Sequence, residues 1–236
     1  MPETDTQPGA LRELQADAGT RKRFLKMIGG AGAAGALALL AAACGGDDST
    51  GRRAAEGAAK TPMGGVGNDL AILNYALTLE YVEADFYDQA VRSGQITDRA
   101  VADLAKRIGE AEHAHVDAIT ATVKKLGGTP ARRPATRFDD VIAGGPARIL
   151  RTAAIVENVG AAAYLAQAPR ITSAEILAAA LSIHSVEARH AAALNQLTGR
   201  GFSGDGPLDG SVPTGAFASP LPMSRVLDEV KPFLAS

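Results

Sequence analysis

The chain has 236 residues, 46% of them apolar and only 4% aromatic, with no tryptophan and a formal net charge of -2. That apolar content is ample for a buried core in one or two domains, and its richness in alanine suits closely packed helices better than sheets. A near-neutral charge with no basic run beyond the N-terminus argues against a nucleic-acid surface, and the single Cys44 excludes an internal disulfide and a multi-thiolate metal site.

Residues 1–43 read as an export signal. A basic segment from Arg21 to Lys26 leads into a weakly apolar Gly/Ala/Leu run, Met27 to Ala43, and small residues stand before Cys44. The run falls short of the ~20 apolar residues that a spanning helix needs. The segment from Thr20 to Lys26 resembles the twin-arginine signal, with Lys22 where the second arginine belongs. Leu40 to Cys44 resembles a lipoprotein cleavage box, with Ala41 where leucine is usual, which would make Cys44 a lipid anchor to the membrane. The expected location is periplasmic or otherwise extracytoplasmic. Residues 44–66, rich in Gly, Ala, Asp and Ser, read as a flexible tether.

Residues 67–200 read as an all-α domain of four long helices. The first is expected to start at a cap on Asn68 and stop near Gly94, with Leu70, Leu73, Leu77, Tyr81, Ala84 and Tyr87 or Asp88 at three-or-four spacing. The second follows Thr97-Asp98 and ends at Gly127-Gly128. The third has Pro146 in its first turn and stops before Pro169; the fourth is capped by Ser173 and finishes near Gly199. Short links join the first to the second and the third to the fourth, while a long segment separates the two pairs. One long crossover between the second and third helices is the ferritin-type variant of the four-helix bundle. Residues 201–236 read as a loop-rich tail with a short helix from Ser224 to Leu234 packed outside.

The chemistry lies in a repeat. Glu80, Val82, Ala84 and Tyr87 of the first helix match Glu157, Val159, Ala161 and Tyr164 of the third at the same spacing. Glu112-x-x-His115 of the second matches Glu187-x-x-His190 of the fourth. Residues three apart share a helix face, so each Glu/His pair can reach one ion. Two such hairpins about a pseudo-twofold axis bring four carboxylates and two imidazoles to the bundle axis. That donor set suits iron or manganese, and carboxylates can bridge two ions. Without cations, four glutamates in an apolar core would repel and be expensive to desolvate. The expected ligands are therefore Glu80, Glu112, His115, Glu157, Glu187 and His190, holding two Fe ions or, with the same donors, Mn.

Other polar residues near these helices receive plainer readings. Glu83 aligns with Gly160 and is left open between a seventh carboxylate, a partner of a ligand, and an exposed or partly buried charge. Glu110 and His113 align with Ser185 and Ala188, and His113 is expected on the outer face. Tyr87 and Tyr164 are read as core residues with a hydroxyl hydrogen bond rather than redox groups. His184 is read as capped or solvated, and Arg132-Arg133 as solvated.

The stretches Leu73 to Ala84, Glu112 to Val116, Glu157 to Tyr164 and Val186 to His190 resemble the exported bacterial ferritin-like domain proteins, relatives of the ferritin and rubrerythrin superfamily of di-iron carboxylate proteins. The tail around Phe217 and Lys231 to Leu234 is similar as well. The resemblance implies a ferritin-like fold and the same six ligands, and fixes no reaction. The lack of further cysteines excludes the rubredoxin-type iron of full rubrerythrins. Three functional classes stay open: an enzyme acting on dioxygen, peroxide or Fe(II); a metal-binding or storage protein; and a stress-protective surface module in which metal only holds the bundle together. The tether and long tail argue against a sealed iron-storing cage, and oligomeric state is not read from the sequence.

Overall fold

A computed structural model describes residues 66–200 and 217–235. The expected export signal, the tether with Cys44 and the first part of the tail lie outside these residues. Four long helices dominate: α1 (Val66–Arg92), α2 (Arg99–Lys125), α4 (Gly145–Gln167) and α5 (Ala174–Leu197). A short α3 (Asp139–Ala143) interrupts the crossover between α2 and α4, and α6 (Met223–Val230) packs outside the bundle. There is no strand among the described residues, and the architecture is an all-α ferritin-like bundle.

Local chemistry accounts for the helix ends. Asp98 caps α2 by accepting from the Val101 N–H at 3.0 Å, and Ser173 caps α5 by accepting from the Ile176 N–H at 3.3 Å. The two helices carrying Glu-x-x-His also stop alike. Gly127 and Gly199 sit at φ of +76° and +71°, and the next residue's N–H in each case reaches back to a carbonyl of the last turn, Val123 or Asn195, at 2.9 Å. That closure needs a left-handed residue, which glycine supplies without strain.

The start of α1 differs from the expectation. The helix is already formed at Val66, and the Asn68 side chain donates to the Arg170 carbonyl at 2.8 Å instead of capping. The buried Asp69 carboxylate joins the same tie, accepting from the Thr172 N–H, the Thr172 hydroxyl and the Ser173 N–H at 2.7 to 3.0 Å. These residues lock the beginning of α1 to the α4–α5 turn rather than serving α1 itself.

Packing divides the interior into two apolar layers. At one end Phe86, Tyr87, Ile108, Phe138, Ile149 and Leu194 pack together, and at the other Leu73, Leu77, Val116, Ile119, Ile176 and Ile183. Each fully buried aliphatic or aromatic side chain of this kind contributes about 1.5–3 kcal/mol. The repeated spacing of the four glutamates sets them mid-helix, between these layers. The stretch Gly145–Arg170 is long and apolar enough to cross a membrane, but it is mostly buried as the core helix of the bundle.

The crossover is fastened along its length. Asn74 of α1 donates to the Thr129 carbonyl at 3.1 Å and accepts from the Ala131 N–H at 2.7 Å. Asp85 accepts from the Thr136 hydroxyl at 3.0 Å and pairs with Arg133, whose guanidinium lies 4.9 Å over the Tyr81 ring. Arg132 is exposed, but Arg133 is thus not merely solvated, because a carboxylate and an aromatic face are both within its reach. The C-terminal segment completes the fastening. Thr136 pairs with Leu234, the Arg137 N–H donates to the Phe233 carbonyl at 2.8 Å, and Phe233 stacks on the buried Phe138 at 5.3 Å. The short helix of the tail ends at Val230, earlier than expected, and passes into a 3-10 turn at Lys231–Phe233. Pro232 has no N–H to continue an α-helix.

Candidate metal centre

The antiparallel order of the helices brings the midpoints of α1, α2, α4 and α5 to one level of the axis. Glu80, Glu112, Glu157 and Glu187 are each 0% exposed there, while His115 and His190 keep a small exposed edge. The donors fall into two groups, each with atoms all within 4.8 Å of one another. One is Glu80, Glu112, His115 and Glu187; the other is Glu112, Glu157, Glu187 and His190. Glu112 and Glu187 belong to both.

Around each imidazole the carboxylates converge more closely than one proton can serve. His115 Nδ1 lies 2.8 Å from Glu112 Oε2, 3.1 Å from Glu187 Oε1 and 3.2 Å from Glu80 Oε2. His190 Nδ1 lies 3.1 Å from both Glu157 Oε2 and Glu112 Oε1. A ring N–H donates one good bond, so several oxygens remain without a donor. Glu112 Oε1, Glu157 Oε1 and both oxygens of Glu187 are buried with no well-aligned hydrogen bond, the 3.1 Å approaches of the histidines to Glu112 Oε1 and Glu187 Oε1 notwithstanding. Buried carboxylate oxygens of this kind normally have partners, and a divalent cation satisfies several at once.

A model of the ferritin-like domain matches residues 68–200, more than half of the sequence and all four helices of the bundle. The chain belongs to the ferritin-like domain family. No curated protein matches it.

The electrostatics of this ferritin-like site show the strain of holding so much negative charge. Burial raises the pKa values of Glu80, Glu157 and Glu187 above the ordinary carboxylate value, making them weaker acids, and for Glu157 and Glu187 the Glu112 charge adds to it. Glu112 is the exception. Burial pushes it up too, but bonds from both histidines outweigh this and hold it down at about 2. The histidines respond in the opposite sense to their own burial. Glu80 and its neighbours lift His115 well above its usual value, and Glu157 with Glu112 lifts His190 to about 10. The carboxylates thus favour positive charge at this centre, whether on the imidazoles or on a bound cation.

Two tyrosines meet the centre crosswise. Tyr164 of α4 donates its hydroxyl to Glu80 of α1, while the Tyr87 hydroxyl of α1 lies beside Glu157 of α4 in a contact short of a well-formed hydrogen bond. His184 donates from Nδ1 to the Ala161 carbonyl, 2.9 Å away, and takes no part in the donor groups. His113 is half-exposed and pairs with Asp88 at 3.0 Å, and Glu110 is exposed. Glu83 is the residue that the sequence left open. It is 3% exposed, it is pushed well above the usual carboxylate value by burial and then by Glu187 and Glu80, and its Oε2 has no partner. The signal that could have placed it is its spacing, one turn beyond Glu80 on the same face.

The buried Glu/His cluster is thus compatible with a pair of metal ions. The oxygens without donors and the two shared carboxylates fit the donor chemistry of iron or manganese.

Proposed function

We propose that this is an exported, membrane-tethered ferritin-like protein holding a dinuclear iron or manganese centre that reacts with dioxygen or peroxide. The observation that carries the reading is the sharing of Glu112 and Glu187 between two four-residue donor groups. Glu80 and His115 would hold one ion, Glu157 and His190 the other, and Glu112 and Glu187 both. When bound, such a pair of reduced ions supplies electrons to dioxygen or peroxide. The chain's contribution is positional. Four glutamates without solvent exposure exclude bulk water, and the imidazoles fix the carboxylates on either side. Tyr164 orients Glu80 through its hydroxyl. Export is supported by the order of basic, apolar and small residues ahead of Cys44, and the tether by the composition of residues 44–66.

The test is metal content after anaerobic incubation with Fe(II) and Mn(II) together, followed by desalting. The expected result is about two ions per chain, the number that a paired carboxylate site holds, falling sharply in Glu112→Ala and Glu187→Ala. Less than about half an ion per chain, unchanged in those variants, sinks the reading, since a ligand's removal must empty a real site. Rapid oxidation of added Fe(II) then separates a reacting centre from a storage or purely structural one.

A further inference from the structure

The hairpin repeat breaks at one place inside the centre: where α1 has Glu83, α4 has Gly160. A glycine inside a helix costs about 0.5–1 kcal/mol relative to alanine. Gly160 has an ordinary helical conformation, so backbone strain does not call for it. Space does. A Cβ on residue 160 would stand 2.7 Å from Glu83 Oε1 and 3.0 Å from Glu187 Oε2. Even alanine would force one of these carboxylates to move. The gap that glycine leaves is therefore where the edges of Glu83 and Glu187 come together, with Glu83 97% buried and its Oε2 lacking any donor.

Two carboxyl groups face each other in that gap, with the Tyr75, Tyr87 and Tyr164 hydroxyls in the same surroundings. A buried carboxyl oxygen without a donor beside other carboxyl groups is costly unless a cation lies within reach of it. Glu83 stands outside both groups of mutually close donors, but it adjoins Glu187, which belongs to both, and Glu80, one turn back on α1. We propose that Glu83 is a seventh protein ligand of the centre, drawn in beside Glu187, and that Gly160 is the recess that admits it. The repeat offers no second copy of this carboxylate, because the matching position is glycine. The two ion positions are consequently unequal, and the one that Glu83 reaches, with the extra negative charge, binds first and more tightly.

The proposal rests on the dinuclear reading above, and Mn(II) titration of the full chain by calorimetry separates the two. Wild type should show two Mn(II) events of different affinity. Glu83→Gln keeps the shape but removes the charge. It should weaken the tighter event by about tenfold or more, the usual cost of losing a supporting group at a metal site, and leave the weaker one unchanged. Gly160→Ala, a change that favours the helix and so covers any folding defect in the first variant, should weaken the same event. Two events at wild-type affinities in both variants overturn the role of Glu83 while leaving the centre intact. That holds even where the metal-free melting temperature shifts, since relief of a buried charge moves stability alone. A wild type that takes up no Mn(II) removes the centre and this proposal together.

Discussion

The two helical hairpins, α1–α2 and α4–α5, offer the same donors from matching positions, but their interiors are finished differently. In the second, Asn158 and Asn195 face each other and exchange amide hydrogen bonds at 2.9 and 3.3 Å. The matching positions of the first are Tyr81 and Thr120, and Tyr81 turns outward under Arg133 of the crossover. The first hairpin is braced from outside by a long connection, the second from inside by a buried amide pair. The tyrosine hydroxyls differ too, one bonded to Glu80 and the other in a poorly formed contact with Glu157. The matching donors are what the proposed pair of ions would demand of both halves. The rest shows how far each half was free to settle against its own neighbours.

The largest expected effect concerns what the hairpins share. Burial raises Glu80, Glu83, Glu157 and Glu187, so their contribution to the metal-free fold is present below the ordinary carboxylate value and lost as pH rises through the raised values. His190, lifted to about 10, stabilises fully below its ordinary value of about 6.5 and ceases to do so toward 10; His115 acts in the same direction. Glu112, held at about 2, loses its contribution only in strong acid. The chelated protein should therefore melt lower at pH 8 than at pH 5, by about 10 °C for a chain of this size, and Mn(II) should abolish the difference. A chelated protein with a flat melting profile would show that the two hairpins do not press their carboxylates into one site.

A smaller effect distinguishes the halves. Tyr164→Phe removes a bond to a buried carboxylate and should cost about 1.5–3 kcal/mol in denaturant unfolding of the metal-free protein. Tyr87→Phe removes only a poorly formed contact with Glu157 and should cost less than about 1 kcal/mol. Equal losses would erase the asymmetry. The smallest effect belongs to the outer brace. Arg133→Ala should cost less than about 1 kcal/mol, an amount that shrinks further in high salt, and leave metal uptake unchanged.

Much of this was legible in the sequence. Long helices announce themselves through apolar spacing, and Asp98, Ser173, Gly127 and Gly199 act locally, so their positions could be read directly. The cluster of Glu80, Glu112, His115, Glu157, Glu187 and His190 was legible because the pattern occurs twice. Glu83 was obscured for the same reason: a repeat directs attention to matching residues, whereas Glu83 depends on a non-matching one, Gly160, across the bundle. Arg133 and the early start of α1 depend on partners far away in sequence, Asp85 and Arg170, and no local signal specifies such pairs. The turn of helix at Asp139–Ala143 was hidden by its length, since a single turn carries no periodicity.

The pairing of Thr136 with Leu234 has a consequence for the order of assembly. The crossover is synthesised well before residues 231–235, so Phe138 gains its stacking partner and Arg137 its acceptor only after nearly the whole chain has been made. Ribosomal synthesis adds roughly 5–20 residues per second, which leaves the nascent bundle several seconds with this flank unfastened. A chain cut short before Phe233 can still form both hairpins, but the connection between them then lacks its last clasp.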